Sequence, residues 1–567
     1  MARVGSTAST SLGGSSRART ISSLYNCSCG VTIGDDKEEL SHSTHILASL
    51  AESNDPPSTL EANVLCQEYN EHTTLAASLD MEMAQLQASM VALERRRKQT
   101  LGRLPAYKLA LNPIRRLPNE ILAYIFALCV DNKPFAERQR TAHDGVCFTL
   151  SPKNPPWVLS YVSRKWRSLA LSLPQLWTFC ELDWVTPGDE DLVRESETFK
   201  VQRQLSLCLQ RAENKPLSID WNGMNVPEKL LSMLLTRSYL WREARLACNM
   251  AELRQVSSHA GLFQNLTFLD LYYAEDDWLS LEPEDQMLLA FKDAPNLRHF
   301  ILSGDATGWC FSSNLIPWNQ IVDFTITDVE PWDEWTGDCW SFLPLMENVR
   351  SWSLEMHDYP TPTTTIRLSN LHTLILRPVK ALDTAFFSAL VLPALKVLRF
   401  EEHIYPEEAE AILSLLTRSG CQLEELLLFG DGIVDVELPE LLCSNELKQL
   451  TTLHLSAEKL DETGRRASIM EEMLYHLRYG DSSDEGIPVP HLRTLILTGV
   501  KQWTDVALVA MLASRMRVDQ FTAGSATKLE EISLRDGGED GFYIQDPVAK
   551  AHLSRLLNDD GLRTNFS

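Results

Sequence analysis

From Asn265 to Arg535 the chain keeps returning to one short phrase, Asn/Gln-Leu-x-x-Leu-x-Leu, and a repeat of this length constrains a fold more than any isolated motif. Asn265 is followed by Leu266, Leu269 and Leu271, and Asn296 by Leu297, Phe300 and Leu302. Gln320 leads Ile321, Phe324 and Ile326, and Asn348 leads Val349, Trp352 and Leu354. Asn370 opens Leu371, Leu374 and Leu376, and further copies begin at Ala394, Gln422, Gln449, His491 and Lys528. Up to Gln449 the starts lie 22–31 residues apart, and the last two gaps are longer. Alternation at the end of each phrase predicts a short strand with apolar residues on one face. The residues between phrases suffice for a return path, which reads as a helix from Pro406 to Leu416. One such unit cannot bury its own leucines, whereas a stack can.

Ahead of the repeats lie two apolar helical patterns. In the first, Pro118 suits the opening helical position, because its fixed φ fits and its missing N–H is not needed there. Asn119 and Glu120 suit the first turn, and Ile121, Leu122, Ile125, Phe126 and Cys129 form a stripe at helical spacing. The second has Asn154 as cap, Pro155 and Pro156, and Val158, Val162, Trp166 and Leu169 along one face. Two short stripes cannot bury each other completely, so something else is expected to cover them.

The order Leu117-Pro118, Glu120-Ile121-Leu122, Ile125-Phe126, Val162, Trp166-Arg167 and Leu176-Trp177 resembles the F-box, most closely that of higher fungi. A loop from Asp131 to Lys153 interrupts it, and Ser163 stands where many members carry Cys. Lengthening a loop costs little closure entropy, so 131–153 is expected as a surface insertion. The phrase L-x-x-L-x-L at this period is similar to a leucine-rich repeat, although the Asn usual after the last Leu is missing from most copies. A regular asparagine ladder is therefore not expected. The fold class that follows is an α/β solenoid of irregular leucine-rich-repeat type, preceded by an all-α F-box and an N-terminal long helix or coiled coil.

The F-box resemblance implies a partner, a Skp-type adaptor that in turn binds a cullin. It assigns adaptor binding to Leu117, Pro118, Ile121, Leu122, Ile125, Phe126, Val158, Val162, Trp166 and Leu169. In the solenoid the alternate strand positions line the concave face, where a target protein would bind. Phe268, Tyr272, His299, Arg377, Arg399, Phe429 and His454 are the target-binding candidates, on a mixed surface that suits a protein better than a nucleic acid. The tryptophans at 309, 318, 332, 335 and 340 form a denser cluster, and most of the 14 in the chain are expected in the core.

The remaining boundaries follow composition. Residues 1–57 are rich in Ser, Thr and Gly and read as a disordered tail. Cys27 and Cys29 with His42 and His45 lack zinc-site spacing, so no metal is expected. Residues 58–101 read as one helix, ended by Gly102 and Pro105, with Ala62, Tyr69, Ala76, Met83 and Met90 at a and Leu65, His72, Leu79, Leu86 and Leu93 at d. This is either a dimerising coiled coil over 60–100 or a helix that folds back on its own chain or hangs partly exposed as a spacer. The F-box spans 112–180 and the repeat region 181–567, with strands near Glu181–Trp184 and Pro216–Trp221 and a helix near Thr198–Ala212. The basic run Arg95–Lys98 fits a helix C-terminus better than a nuclear address.

Composition narrows the function classes. A formal net charge of −25 argues against a nucleic-acid partner, whose affinity would need cations facing phosphates. No run of apolar residues is long enough for a membrane span, and the twelve cysteines have no framework spacing, which suits the reducing cytosol or nucleus. Phosphate-loop, dinucleotide, zinc-protease and nucleophile-elbow motifs are missing, so neither cofactor nor catalysis is expected, and Cys421 reads as a buried thiol. The expectation is a non-catalytic substrate-recognition subunit of an SCF-type ubiquitin ligase. The alternative is a scaffold assembling through the coiled coil without cullin.

Overall fold

The computed structural model describes residues 42–53, 55–130, 135, 148–183, 191–222, 227–273, 289–304, 316–329, 340–356, 362–378, 384–403, 406–429, 438–457, 474–478, 488–499, 504–516, 527–535, 544, 546–558 and 561–566. The chain divides into two compact units, Met1–Leu117 and Pro118–Ser567.

The first unit holds helix α1, His42–Ser53, packed against helix α2, Thr59–Ala110. A reciprocal cap starts α2: Ser58 Oγ accepts from the Glu61 N–H at 3.3 Å, and the Glu61 carboxylate accepts from the Ser58 N–H at 2.9 Å. These bonds hold the Glu61 carboxyl below its usual range. Two expectations change here. The segment 1–57, read as a tail, contains α1, whose Ile46 and Leu50 are half-buried; residues 1–41, with Cys27 and Cys29, lie outside the described residues. The long helix does not end at Leu101 but carries Gly102 and Pro105 on to Ala110. Pro105 forfeits the bond its N–H would have donated one turn back, yet Arg103, Leu104, Ala106, Lys108 and Leu109 are strong helix formers. Asn112 then starts a 3₁₀ turn, Pro113–Arg116, by accepting from the Ile114 N–H at 3.1 Å.

The second unit opens with three short helices, α3 at Asn119–Cys129, α4 at Trp157–Val162 and α5 at Arg164–Leu171. A parallel sheet follows. Its strands are β1 Phe179–Asp183, β2 Leu217–Asn222, β3 Trp241–Cys248, β4 Phe268–Tyr273, β5 His299–Gly304, β6 Asp323–Val329 and β7 Ser351–Met356. A two-residue strand β8, Ile366–Arg367, pairs with its counterpart β10, Leu390–Val391, outside the main sheet. The main sheet continues with β9 Thr373–Pro378, β11 Val397–His403, β12 Glu425–Phe429, β13 Thr452–Ala457, β14 Thr494–Gly499, β15 Glu531–Arg535 and β16 Arg563–Phe566. Fourteen strands stand in chain order, each parallel to the next, an α/β solenoid-like arrangement. All ten expected copies are strands of this sheet.

Register explains the order. Leu269, Phe300, Phe324, Trp352, Leu374, Leu398, Leu426 and Leu453 fall in one row across neighbouring strands and are all closed to solvent. Leu271, Leu302, Ile326, Leu354 and Leu376 form the next inward row. Helices lie in the returns: helix α6, Asp191–Ala212, between β1 and β2 in sequence, and Pro406–Ser419, which buries Ile412, Leu415 and Leu416. Trp318 and Trp340 belong to the same core, 2% and 1% exposed; Trp309, Trp332 and Trp335 lie outside the described residues.

A side-chain ladder does exist, built from a different position than the usual one. In the first five phrases the leading residue donates its side-chain amide to a backbone carbonyl of the preceding repeat. Asn265 reaches Tyr239 O, Asn296 reaches Gln264 O, Asn348 reaches Asn319 O and Asn370 reaches Glu347 O, each at 2.7 Å. Gln320 makes the equivalent bond to Ala294 O.

Towards the C-terminal end, Arg515 on helix Asp505–Met516 is fully buried and donates to Leu477 O, Pro488 O and Val489 O at 2.6, 2.8 and 3.0 Å. The guanidinium ties two return segments together. Arg515→Ala leaves buried carbonyls without donors and is expected to cost about 3 kcal/mol or more, read from the denaturant midpoint of the full chain.

Candidate functional site

The helical module is closed on one side and open on the other. Leu122 and Phe126 of α3 are fully buried, Phe126 packing on the half-buried Trp166 with ring centroids 4.9 Å apart. Trp157 and Trp177 meet edge-to-face at 4.9 Å, and their indole N–H groups donate to Thr149 O at 3.0 Å and Ala170 O at 2.9 Å. The Arg211 guanidinium from α6 lies 4.7 and 4.3 Å from these two ring centres, and its desolvation lowers its pKa. Thr149 Oγ1 accepts from the Glu181 N–H of β1 at 2.9 Å. The module is thus bolted to the first strands of the sheet.

Four sequence readings of this module change. Pro118 is the N-cap of α3, its carbonyl accepting from the Leu122 N–H at 3.1 Å, so the helix starts one residue later than expected. The second stripe is not one helix: Ser163 is fully extended, ends α4, and caps α5 by accepting from the Trp166 N–H at 3.2 Å. Pro156, not Asn154, holds the cap position of α4, and the Asn154 carbonyl accepts from the Val158 N–H at 3.1 Å. Leu122 and Phe126, expected on the docking side, point into the module's own core.

The open side consists of other residues. Ile121 is 48% exposed, Val162 59% and Val158 36%, and Tyr124, Leu128, Tyr161 and Leu171, which the sequence pattern did not single out, are also exposed. Pro118 is exposed, and Ile125, Trp166 and Leu169 are half-buried. Leu117 is half-buried within the first unit. The signal for Tyr124 and Leu128 was in the sequence: Ile121, Tyr124, Ile125 and Leu128 recur at helical spacing, making a second apolar edge on α3 beside the buried one.

The outer face of the sheet is largely self-satisfied. Phe268 is not free to meet a target, because Phe135 covers it. Phe135, from the stretch expected as a surface insertion, is 2% exposed and packs edge-on against Phe179 and Phe268, each at 5.8 Å. Phe135 also lies under the Arg245 guanidinium, 4.9 Å from the ring centre. Arg245 bonds Asp270 at 2.8 Å and Asp220 at 3.2 Å, so the inserted ring and this ion cluster fill the sheet face over β1–β4. Phe135 gives the insertion an apolar anchor on the sheet; the other residues of 131–147 lie outside the described residues.

The remaining candidates form a row of neighbouring pairs. His299 Nδ1 bonds Asp323 at 2.6 Å, which raises the His299 pKa against the opposing effect of burial. Arg377 donates to Glu401 at 2.8 Å and Ser353 Oγ at 3.2 Å, and Arg399 to Glu425 at 2.8 Å. His454 Nε2 lies 2.9 Å from Thr498 Oγ1, and Tyr272 is half-buried. The Phe429 side chain lies outside the described residues. A ligand for this face must therefore compete for paired charges. Half-exposed pairs are screened and weak, so exchanging partners is affordable.

Cys421 is buried, and desolvation pushes its thiol up to about 11. Cys180 and Cys208 face each other with sulfurs 3.9 Å apart, and burial with that contact raises Cys180 far above the thiol range. Among the described residues no group of His, Cys, Asp and Glu is arranged to hold a metal. No model of a known protein family matches the chain, and no curated protein is significantly similar to it.

Phe135→Ala is expected to lower stability by about 3 kcal/mol, measured in urea, and to expose Phe268 and Phe179 to solvent. A second expectation concerns pH. A histidine whose folded pKa is raised adds stability that is full below its unfolded pKa of about 6.5 and is lost as pH rises through the folded value. Asp323→Asn should therefore bring the His299 NMR titration down towards the ordinary value. It should lower stability at pH 6 but not at pH 9.

Proposed function

We propose that the chain is a substrate-recognition subunit of an SCF-type ubiquitin ligase. Its helical module is an F-box that binds a Skp-type adaptor, and through it a cullin, while the leucine-rich-repeat-like sheet face binds the target protein. One observation carries the reading. The module that resembles the F-box keeps Ile121, Tyr124, Leu128, Val158, Tyr161 and Val162 in water while its other side is sealed. Apolar side chains grouped on one short module mark a surface for another protein. Covering four of them contributes about 1.5–3 kcal/mol each, against several kcal/mol lost on association.

In this reading the chain does no chemistry. It holds the target near an activated ubiquitin carrier, and rate is gained by raising local concentration. The Arg377–Glu401 and Arg399–Glu425 pairs would then open to opposite charges on the target, which favours a partner bearing both signs.

The test is the double substitution Ile121→Asp and Val162→Asp. Both positions are 48% exposed or more, so the fold should keep its denaturant midpoint within about 0.5 kcal/mol, while recovery of a Skp-type adaptor should fall to background. Undiminished recovery would remove the proposal. A scaffold role is favoured by helix α2, none of whose side chains is buried, and it separates cleanly: adaptor and cullin recovered together support the ligase, and neither recovered supports the scaffold.

A further inference from the structure

Helix α2 is 52 residues long and buries none of its side chains. Many of its apolar residues nevertheless recur in heptad order, although Leu60, Leu75, Met81 and Val91 fall outside the seam. Tyr69, Met83 and Met90 at a and Leu79, Leu86 and Leu93 at d are between 42% and 72% exposed. The charges are sorted along the same helix. Glu61, Glu68, Glu71, Asp80 and Glu82 precede Leu93 without a single Lys or Arg among them. Glu94 is then followed by Arg95, Arg96, Arg97, Lys98, Arg103 and Lys108.

We propose that α2 docks on the α2 helix of a second copy of this chain in antiparallel orientation, acidic half against basic end. The heptad seam sets the register. Ala62 packs on the partner's Leu93, Tyr69 on the partner's Leu86, and Ala76 on the partner's Leu79. Met83 then meets the partner's His72, and Met90 the partner's Leu65. Small residues thus face large ones in the first and third layers, and every apolar position of the seam is used once. The layers extend about 48 Å at 1.5 Å per residue, and about five heptads exceed the three to four over which such a pattern is meaningful. The same offset sets Glu61 beside the partner's Arg96 at both ends of the seam.

A parallel pair fails on the same residues. Position a would continue to Arg97, directly opposite the partner's Arg97, with the whole run Arg95–Lys98 doubled at one end. Like charges held face to face oppose association. His72 would meet the partner's His72, and Ala62 and Ala76 would each meet alanine, leaving thin layers. The charge order therefore selects orientation as well as occupant.

Mass and geometry are both measurable on the full-length chain. Light scattering over a concentration series is expected to give twice the monomer mass. For geometry, Ala62→Cys and Leu93→Cys are made singly in a Cys66→Ser background and oxidised, alone and as a mixture. The mixture should give a disulfide-linked dimer, and each single variant should give none beyond the background chain. Charge supplies an independent arm. Arg95→Glu, Arg96→Glu and Arg97→Glu together should weaken the dimer at least about tenfold. Adding Glu61→Lys and Glu68→Lys to that same chain should recover much of the loss. A monomer at every concentration overturns the proposal, and so does efficient cross-linking of the Ala62→Cys variant to itself.

Discussion

The sheet depends on a shared deficit: each repeat presents a row of apolar side chains wider than its own return can cover. A parallel neighbour supplies the missing cover and at the same time accepts the strand's backbone hydrogen bonds. Because each strand is parallel to the next in chain order, every phrase must be followed by a return that climbs back to the same end. That requirement accounts for the spacing of the copies, for the helices and turns behind the sheet, and for the burial of Phe300, Phe324 and Trp352 in one continuous row.

At the start of the sheet the deficit is met differently. No repeat precedes β1 in the sheet, and the helical module takes that place with Trp157, Trp177 and the Arg211 guanidinium stacked between it and α6. On the other face Phe135 covers β1 and β4, held by Arg245. The module is thus both the cap of the sheet and the bearer of an uncovered apolar edge, and its burial pattern divides cleanly between the two roles.

Much of this was legible in the residues. Ten phrases announced ten strands, because leucine spacing reports directly on which side of a strand faces the core. Strand β3 was missed because Trp241–Cys248 puts Ala244 where the phrase has Leu, and Arg245 beside it is buried only through Asp220 and Asp270, which are distant in sequence. The amide ladder was missed because the usual one stands after the last leucine, whereas Asn265, Asn296, Asn348 and Asn370 bond from the heads of their own phrases. In the candidate site, helical spacing identified the apolar residues of α3 but could not say which edge turns inward. That choice is made by Trp166, more than a loop away. Phe135 left no local signal at all, since a single phenylalanine in a polar insertion acquires meaning only from the surface it reaches.

The amide ladder has a consequence for how the rim of the sheet responds to salt. It runs from Asn265 to Asn370, where side-chain amides grip backbone carbonyls of the repeat before. Beyond it, among the described residues, the corresponding rim is joined by the charge pairs Lys396–Glu424, Arg493–Glu530 and Arg563–Glu530. Neutral bonds to backbone are indifferent to ionic strength, while exposed charge pairs fade with it. The rim therefore has two characters, amide grips as far as Asn370 and, beyond it, pairs whose contribution falls as salt is added.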